Sequence, residues 1–537
     1  MKGNFENTLT LTKLILRRER INSVVWILLT GLFTAFVLVL FEGAMDEASR
    51  MEMALMMENP AMVAMVGPAY GLDNFTIGAM MGVMMLLFTA IAIAVMNILL
   101  VVRHTRADEE KGRYEVVRSL PTGRLAHVHS AMLAAVAINV VLGLFTALCL
   151  YATGYESVSL NGSLLWGAVL ASSGLLFAAI AALFSQLSSS SRGAIGYSVL
   201  AMGIFYIMRA IGDVGAEVLS LVSPLGLVTQ TQPYVADRWW PVFALLLACV
   251  PVTAAAYRLN VKRDIDQGLL PTRKGKAAGG MLLSTPFGLT LKLQKNPLII
   301  GIVSIFAVGA SYGTIMGDID GFISTNEMYR QLMLLSPDFP MLMSFIGMIN
   351  FIASLMALIP MLLYILKARS EEKEIRAELV IATPTSRTKY LGGYVVITFV
   401  SSVVLQAVTA LGLWMSGTSV LDNPADMPLG DVLAANLVFL PALWVIIGIA
   451  VFLIGFAPKF TGIVWAVYGF VFFVAFIGRT PAFPEWFPKL TPYGFIPQLP
   501  MEELNFLPLG ILTLIAAALT AAGLFFYNRR DINAVTH

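Results

Sequence analysis

The sequence predicts an all-α polytopic membrane protein: twelve transmembrane helices arranged as two parallel-repeated six-helix halves. Three observations predict it. The chain of 537 residues is 58% hydrophobic and only 13% charged, about half the charged share of a soluble domain. Twelve apolar runs approach or exceed the roughly 20 helical residues that cross a bilayer. One charged loop occurs twice, at matching places in the two halves.

The apolar runs lie at roughly 23–42, 77–102, 128–150, 163–187, 193–210, 240–257, 298–316, 342–366, 390–416, 432–456, 460–478 and 507–527. Those at 193–210 and 460–478 are short and close to their predecessors. Lys13, Arg17, Arg18 and Arg20 precede the first run in the manner of a signal peptide. That run is too long for a typical signal core, so it is read as an uncleaved first span.

Twelve crossings place both termini on one side. Segments on that side carry 29 Lys and Arg against 13 Asp and Glu, and the opposite segments carry 6 against 20. The side richer in Lys and Arg faces the cytoplasm, so both termini and the loops at 103–127, 258–297 and 367–389 are expected there. The opposite loops, of about 10 to 35 residues, are too small for an independent core. The halves are expected at residues 1–270 and 286–537, joined by a cytoplasmic linker at 271–285.

The repeated loop follows the second run of each half. Arg106 to Arg124 reads RADEEKGRYEVVRSLPTGR, and Arg369 to Arg387 reads RSEEKEIRAELVIATPTSR. Eight of nineteen positions are identical without a gap. Weaker echoes follow at a similar offset: Ser223-Pro224-Leu225-Gly226-Leu227 with Thr491-Pro492-Tyr493-Gly494-Phe495, and Arg263-Asp264-Ile265 with Arg530-Asp531-Ile532. Basic amphipathic stretches, Leu9 to Arg20 and Leu289 to Lys295, open the halves. Internal duplication is common in transporters and puts the transport path between the repeats.

In each copy an acid precedes an arginine by four residues, Glu109 before Arg113 and Glu372 before Arg376. On one helix such pairs face each other. Val116, Val117 and Leu120 fall on the opposite side, as do Leu379 and Val380. Pro121 and Pro384 disfavour helix at the residue before them, and Thr122 and Thr385 are suited to cap the next helix. A topology signal needs only positive charge. A duplicated Glu–Arg–Glu–Pro–Arg pattern points instead to a docking element for a cytosolic partner.

At these residues the chain resembles the permeases of type-2 ABC exporters. Within them it is similar to the fused twelve-span branch of polyketide-antibiotic exporters, which includes tetronasin- and narasin-type ionophore resistance permeases. Further support comes from Ser223-Pro224-Leu225-Gly226, Trp239-Trp240-Pro241, Arg263-Asp264-Ile265 and Gly268-Leu269-Leu270-Pro271. The resemblance implies that the repeated loops are coupling helices for two copies of a cytosolic ABC ATPase that binds ATP and Mg. The matching positions are Asp108, Glu109, Arg113, Glu115, Pro121 and Arg124, with Glu371, Glu372, Arg376, Glu378, Pro384 and Arg387. It also implies a bacterial cytoplasmic membrane, a hydrophobic or amphipathic cargo such as a polyether or polyketide antibiotic, and short re-entrant elements on the outer side at Ser223–Gly226 and Thr491–Gly494. The second loop departs from the first where Gly112 becomes Ile375 and Glu110-Lys111 becomes Lys373-Glu374.

The chain carries no Gly-x-x-x-x-Gly-Lys-Ser/Thr motif, so it builds no phosphate-binding loop of that kind. Lys274-Gly275-Lys276 reads as a basic linker near anionic lipid. Ion-coupled antiport, the rival reading, usually needs ionisable side chains inside the membrane. Glu42 and Arg209 sit at the edges of runs, and His104, His127 and His129 lie at the cytoplasmic boundary. The polar residues within runs are neutral: Asn97, Asn139, Asn350, Gln406 and Asn436. They suit interhelical hydrogen bonding first and a polar foothold for substrate second. A lipid or cell-wall precursor exporter differs only in cargo. The net charge of +2 gives no bias toward nucleic acid. Cys149 and Cys249 read as small buried hydrophobes, with no metal site and no cofactor of the chain's own. The 28 methionines, clustered at Met51–Met65 and Met80–Met85, suit adaptable apolar packing.

Overall fold

The computed structural model describes residues 2–531 apart from 46, 58–59, 265–266, 271–279, 281–282, 284, 315, 317–340, 422–426, 478–485, 498, 500–501 and 503. The proposed linker 271–285, Lys274–Lys276 and Ile265 therefore fall largely or wholly outside the described residues. Every regular element among the described residues is helical. The chain divides into two compact units, Met1–Lys274 and Gly275–His537.

In the first unit the membrane-length helices are α1 (Thr8–Ala44), α4 (Ile77–Arg103), α7 (Ala126–Tyr151), α8 (Leu160–Leu187), α9 (Ser191–Val214) and α12 (Trp240–Lys262). Short helices join them: α2 (Glu47–Met56), α3 (Pro60–Val66), α5 (Arg106–Glu110), α6 (Arg113–Arg118), α10 (Glu217–Val222) and α11 (Pro224–Thr229). The second unit holds α13 (Pro286–Thr314), α14 (Met341–Lys373), α15 (Arg376–Ile381), α16 (Arg387–Val420), α17 (Leu429–Leu437), α18 (Leu440–Phe456), α19 (Ile463–Ile477) and α20 (Phe506–Arg529).

Eleven helices among the described residues are long and apolar enough to cross a membrane, with α17 and α18 counted as one. Over the apolar run at 460–478 the described residues form α19, 15 residues that rise about 22 Å and end beside residues 478–485, which lie outside the described residues. A 3-10 turn at Pro458–Phe460 fixes its start.

Lipid-facing helices gain little from hydrophobic burial against one another, so small residues draw backbones together. Gly143 of α7 meets Gly167 of α8 backbone to backbone, and Gly455 of α18 meets Gly523 of α20. A Cβ at any of the four would overlap the facing main chain. α8 and α4 are the most enclosed helices of the first unit, α4 with Ala90, Ile93, Ala94, Ile98, Val101 and Val102 fully buried. In the second unit α14, with Leu355, Leu358, Met361, Leu362 and Ile365 fully buried, and the helical stretch at 429–456 are enclosed alike. The segments expected to break helix do so. Ser223 ends α10 and Pro224 opens α11, with both residues buried, and Pro492–Phe495 forms one 3-10 turn.

Candidate functional site

The two repeated loops start where α4 and α14 end. The first is not one helix. α5 stops at Glu110, Gly112 takes a left-handed φ of 67°, and α6 starts at Arg113. This corrects the expected Glu109–Arg113 pairing, because the left-handed residue removes the helical register that a four-residue pair requires. Asp108 accepts from Arg113 instead, at 3.1 Å. Glu109 turns inward, accepts from Arg106 at 2.7 Å and pairs with Arg263, just past the last turn of α12. Its carboxylate is 2% exposed.

The second loop repeats the arrangement. Ile375 has a φ of 63° and α15 starts at Arg376. Arg376 donates to Glu371 at 2.5 and 3.0 Å and pairs with Glu374. The hydrogen bond from Arg376 to Glu371 pushes the guanidinium pKa up. Glu372 accepts from Arg369 at 2.8 Å and from Arg530 at 2.5 and 2.7 Å. Arg530 follows the end of α20.

The far ends of the loops are fastened too. Arg124 donates to the carbonyls of Arg263 at 2.8 Å and Asn260 at 3.3 Å. Arg387 donates to those of Arg530 at 2.5 Å and Asn528 at 3.4 Å. Helix C-termini leave carbonyls without intrahelical donors, and these arginines supply some. Thr122 does not cap the next helix. Its hydroxyl donates back to Val117 O at 3.1 Å, and Ser386 rather than Thr385 caps α16, accepting from Lys389 N.

The outward faces are apolar at the centre. Val116 is 69% exposed and Leu379 is 74% exposed, with Leu120 also exposed. Tyr114 and Ala377 are the buried residues of α6 and α15. Tyr114 lies against His127 with ring centroids 4.7 Å apart, and burial pushes its hydroxyl pKa up. Glu115, Pro121 and Pro384 are exposed and Glu378 is half-buried.

Sequence reasoning missed several partners. Arg18 of α1 donates to both oxygens of Asp108, at 2.9 and 3.2 Å. Glu19 accepts from Arg103 and contacts His104 Nε2 at 2.8 Å. In the second loop Lys367 reaches Glu371 at 2.6 Å. Arg263 and Arg530 were visible only as an echo between the halves, with nothing to point at their carboxylates.

The neutral polar residues form two separate groups. Asn97 and Asn139 exchange two amide hydrogen bonds, at 3.0 and 2.6 Å. Asn436 donates to Asn350 at 2.8 Å, which leaves Asn350 Nδ2, Asn436 Oδ1 and both amide atoms of Gln406 without partners. Arg209 is not merely at an edge. It is fully buried in α9, 3.3 Å from Asp213, and donates to the carbonyls of Ala64 and Met65. Ser220 donates to the same aspartate at 2.5 Å. A cavity of about 130 Å³ lies between Glu19, Trp26, Met96, Arg103 and Ile138, too small for a drug-sized guest. Among the described residues no three His, Cys, Asp or Glu side chains gather as a metal would need.

The family model for the multidrug efflux system permease Rv1217c, C-terminal domain, matches residues 11–258 and 283–528. The chain belongs to this family. It is 33% identical over 539 residues to the multidrug efflux system permease protein Rv1217c of Mycobacterium tuberculosis (strain ATCC 25618 / H37Rv), covering 99% of this chain and 96% of that protein. Membership in a permease family agrees with the eleven membrane-length helices and marks the chain as a multi-pass membrane protein.

Proposed function

We propose that the chain is the membrane permease of an ATP-driven type-2 ABC exporter, with twelve spans in two halves and both termini cytoplasmic. A separate cytosolic ATPase would bind ATP and Mg, and two copies would dock, one on each loop. The cargo would be hydrophobic or amphipathic, in keeping with the relative's name as a multidrug efflux permease; polyether and polyketide antibiotics fit that description. One observation carries the reading. Two loops of related sequence present the same shape, a short helix with an inward Tyr or Ala, a conspicuously exposed Val or Leu, and a buried carboxylate behind it. Large apolar side chains exposed on a charged surface helix suit a partner's groove.

Reversing Arg113 and Arg376 would test docking poorly, because both already bind their own loop's carboxylates. Val116→Asp with Leu379→Asp is cleaner. It should leave the protein folded and inserted while stimulation of the partner's ATPase drops about tenfold or more, as expected when central interface residues are lost. Undiminished stimulation would remove the docking role. Ion-coupled antiport has one supporting observation, the buried Arg209–Asp213 pair. That aspartate is already satisfied by Arg209 and Ser220, which argues for a fixed structural pair.

A further inference from the structure

Each loop is fastened to the final helix of its own unit at two points. Glu109 near its start holds Arg263, and Arg124 at its end holds the carbonyls of Asn260 and Arg263. Glu372 holds Arg530, and Arg387 holds the carbonyls of Asn528 and Arg530. Two attachments at opposite ends of a short segment prevent it from pivoting against the helix end. Both carboxylates are 2% exposed, so water cannot readily replace either arginine, and breaking such a buried pair is strongly unfavourable.

Each of these helices packs mainly along one neighbour and leaves the rest of its surface open: α12 lies on α8, and α20 lies on α18 with Gly523 against Gly455. α12 buries Pro241, Val242, Leu245, Ala256 and Asn260, and α20 buries Leu512, Ala516, Gly523 and Tyr527. A helix packed on one side with a locked end can pass displacement of that end to the neighbour it lies on. In the first unit the lock reaches further, because Gln186 of α8 accepts from Asn260 at 2.9 Å and from Arg263 at 2.7 Å.

We infer that Glu109 with Arg263, and Glu372 with Arg530, are positioning residues that carry displacement of each loop into the final helix of its half, α12 or α20. The inference rests on the ATP-driven reading above. It deepens that reading by naming the element that receives the work. The loops would then act on α12 and α20 directly, as well as through the chain connections to their neighbouring helices.

The test uses the full chain reconstituted in vesicles with its ATPase, reading dye efflux and ATP hydrolysis together. Arg263→Gln with Arg530→Gln should keep hydrolysis within about twofold of wild type and lower efflux per ATP by about tenfold or more, since a pair that transmits coupling affects that ratio rather than binding alone. Neutralising these arginines leaves two buried carboxylates with one cation each, Arg106 and Arg369, and can cost folding. Arg124→Met with Arg387→Met cuts the second tie without stranding a charge, and a loss of about threefold or more in the same ratio is expected there. Wild-type efflux per ATP in either folded pair overturns the inference. Hydrolysis that does not respond even to the wild-type chain overturns the docking reading instead, and the transmission with it.

Discussion

The two loops share a lock and differ in what surrounds it. Around the first, α1 supplies Arg18 to Asp108, and His104 lies between Glu19 and Asp108. Around the second, Lys367, one turn earlier on the same helix, serves Glu371. The turn residue differs as well. Gly112 adopts φ 67° at no steric cost, whereas Ile375 adopts φ 63° with a β-branched side chain, a strained choice for such a residue. The backbone nevertheless holds the same shape. Strain of this kind persists only where the surroundings over-determine it, and here those surroundings are Arg376 on Glu371 to one side and Arg530 on Glu372 to the other. The conformation of the second loop is therefore imposed by its ion pairs, and that of the first is also allowed by its sequence.

The largest effect should come from removing the carboxylate. Arg106 and Arg263 are 1% and 5% exposed in their side chains, while Arg369 and Arg530 are 14% and 17% exposed. Glu109→Ala leaves two guanidiniums buried against each other and should destabilise the protein by about 3–5 kcal/mol, the usual cost of breaking a buried pair. Glu372→Ala should cost less, because water reaches its arginines more readily. Thermal unfolding of the purified variants in lipid nanodiscs measures both. Equal losses would show that the two locks are buried alike.

The turn itself offers a finer comparison. Ile375→Gly relieves a left-handed conformation that costs about 1–2 kcal/mol and returns part of that through the freedom of glycine in the unfolded chain. A net gain below about 1 kcal/mol is expected. Gly112→Ile should lose about 1–2 kcal/mol, since nothing lies within 4 Å of its Cβ position to clash and the backbone term acts alone. A stabilising Gly112→Ile, or a destabilising Ile375→Gly, would mean that the turn is not held as described.

Much of this architecture was legible because lipid demands long apolar runs, and eleven of the twelve runs correspond to membrane-length helices. In the run at 460–478 the described residues are helical from Ile463, after the turn at Pro458–Phe460; composition alone did not reveal that start. The loops were legible as a repeat, but their pairing was not. Spacing of four suggested Glu109 with Arg113, and only the left-handed Gly112 shows why that fails. Glu109 and Glu372 pair locally with Arg106 and Arg369 three residues earlier, while their other partners, Arg263 and Arg530, stand 154 and 158 residues away, beyond any local rule. Arg209 was visible at the edge of a run, but its burial depends on a fold-back by α3 and α10 that no periodicity encodes.

The smallest effects concern the neutral amides, where the two units again differ. Asn97 and Asn139 satisfy each other and also the carbonyls of Ile93 and Ala135, so Asn97→Leu should cost about 1 kcal/mol, in the range measured for polar contacts between membrane helices. Gln406 is fully buried with neither amide atom bonded. It stands on α16 between Leu405 and Ala410, which belong to two different apolar clusters of the second unit. A buried group without partners contributes nothing favourable, and replacing it with an apolar residue of similar shape is neutral or stabilising. Gln406→Leu should therefore leave the unfolding temperature unchanged or raise it. Efflux decides what the amide is for. If efflux falls for polar cargo and persists for apolar cargo in a protein of unchanged stability, Gln406 is a substrate contact, and the second unit supplies the polar foothold that the closed Asn97–Asn139 pair does not. A marked loss of stability would instead mean that the amide has bonded partners within the fold, and the contrast between the two units would disappear.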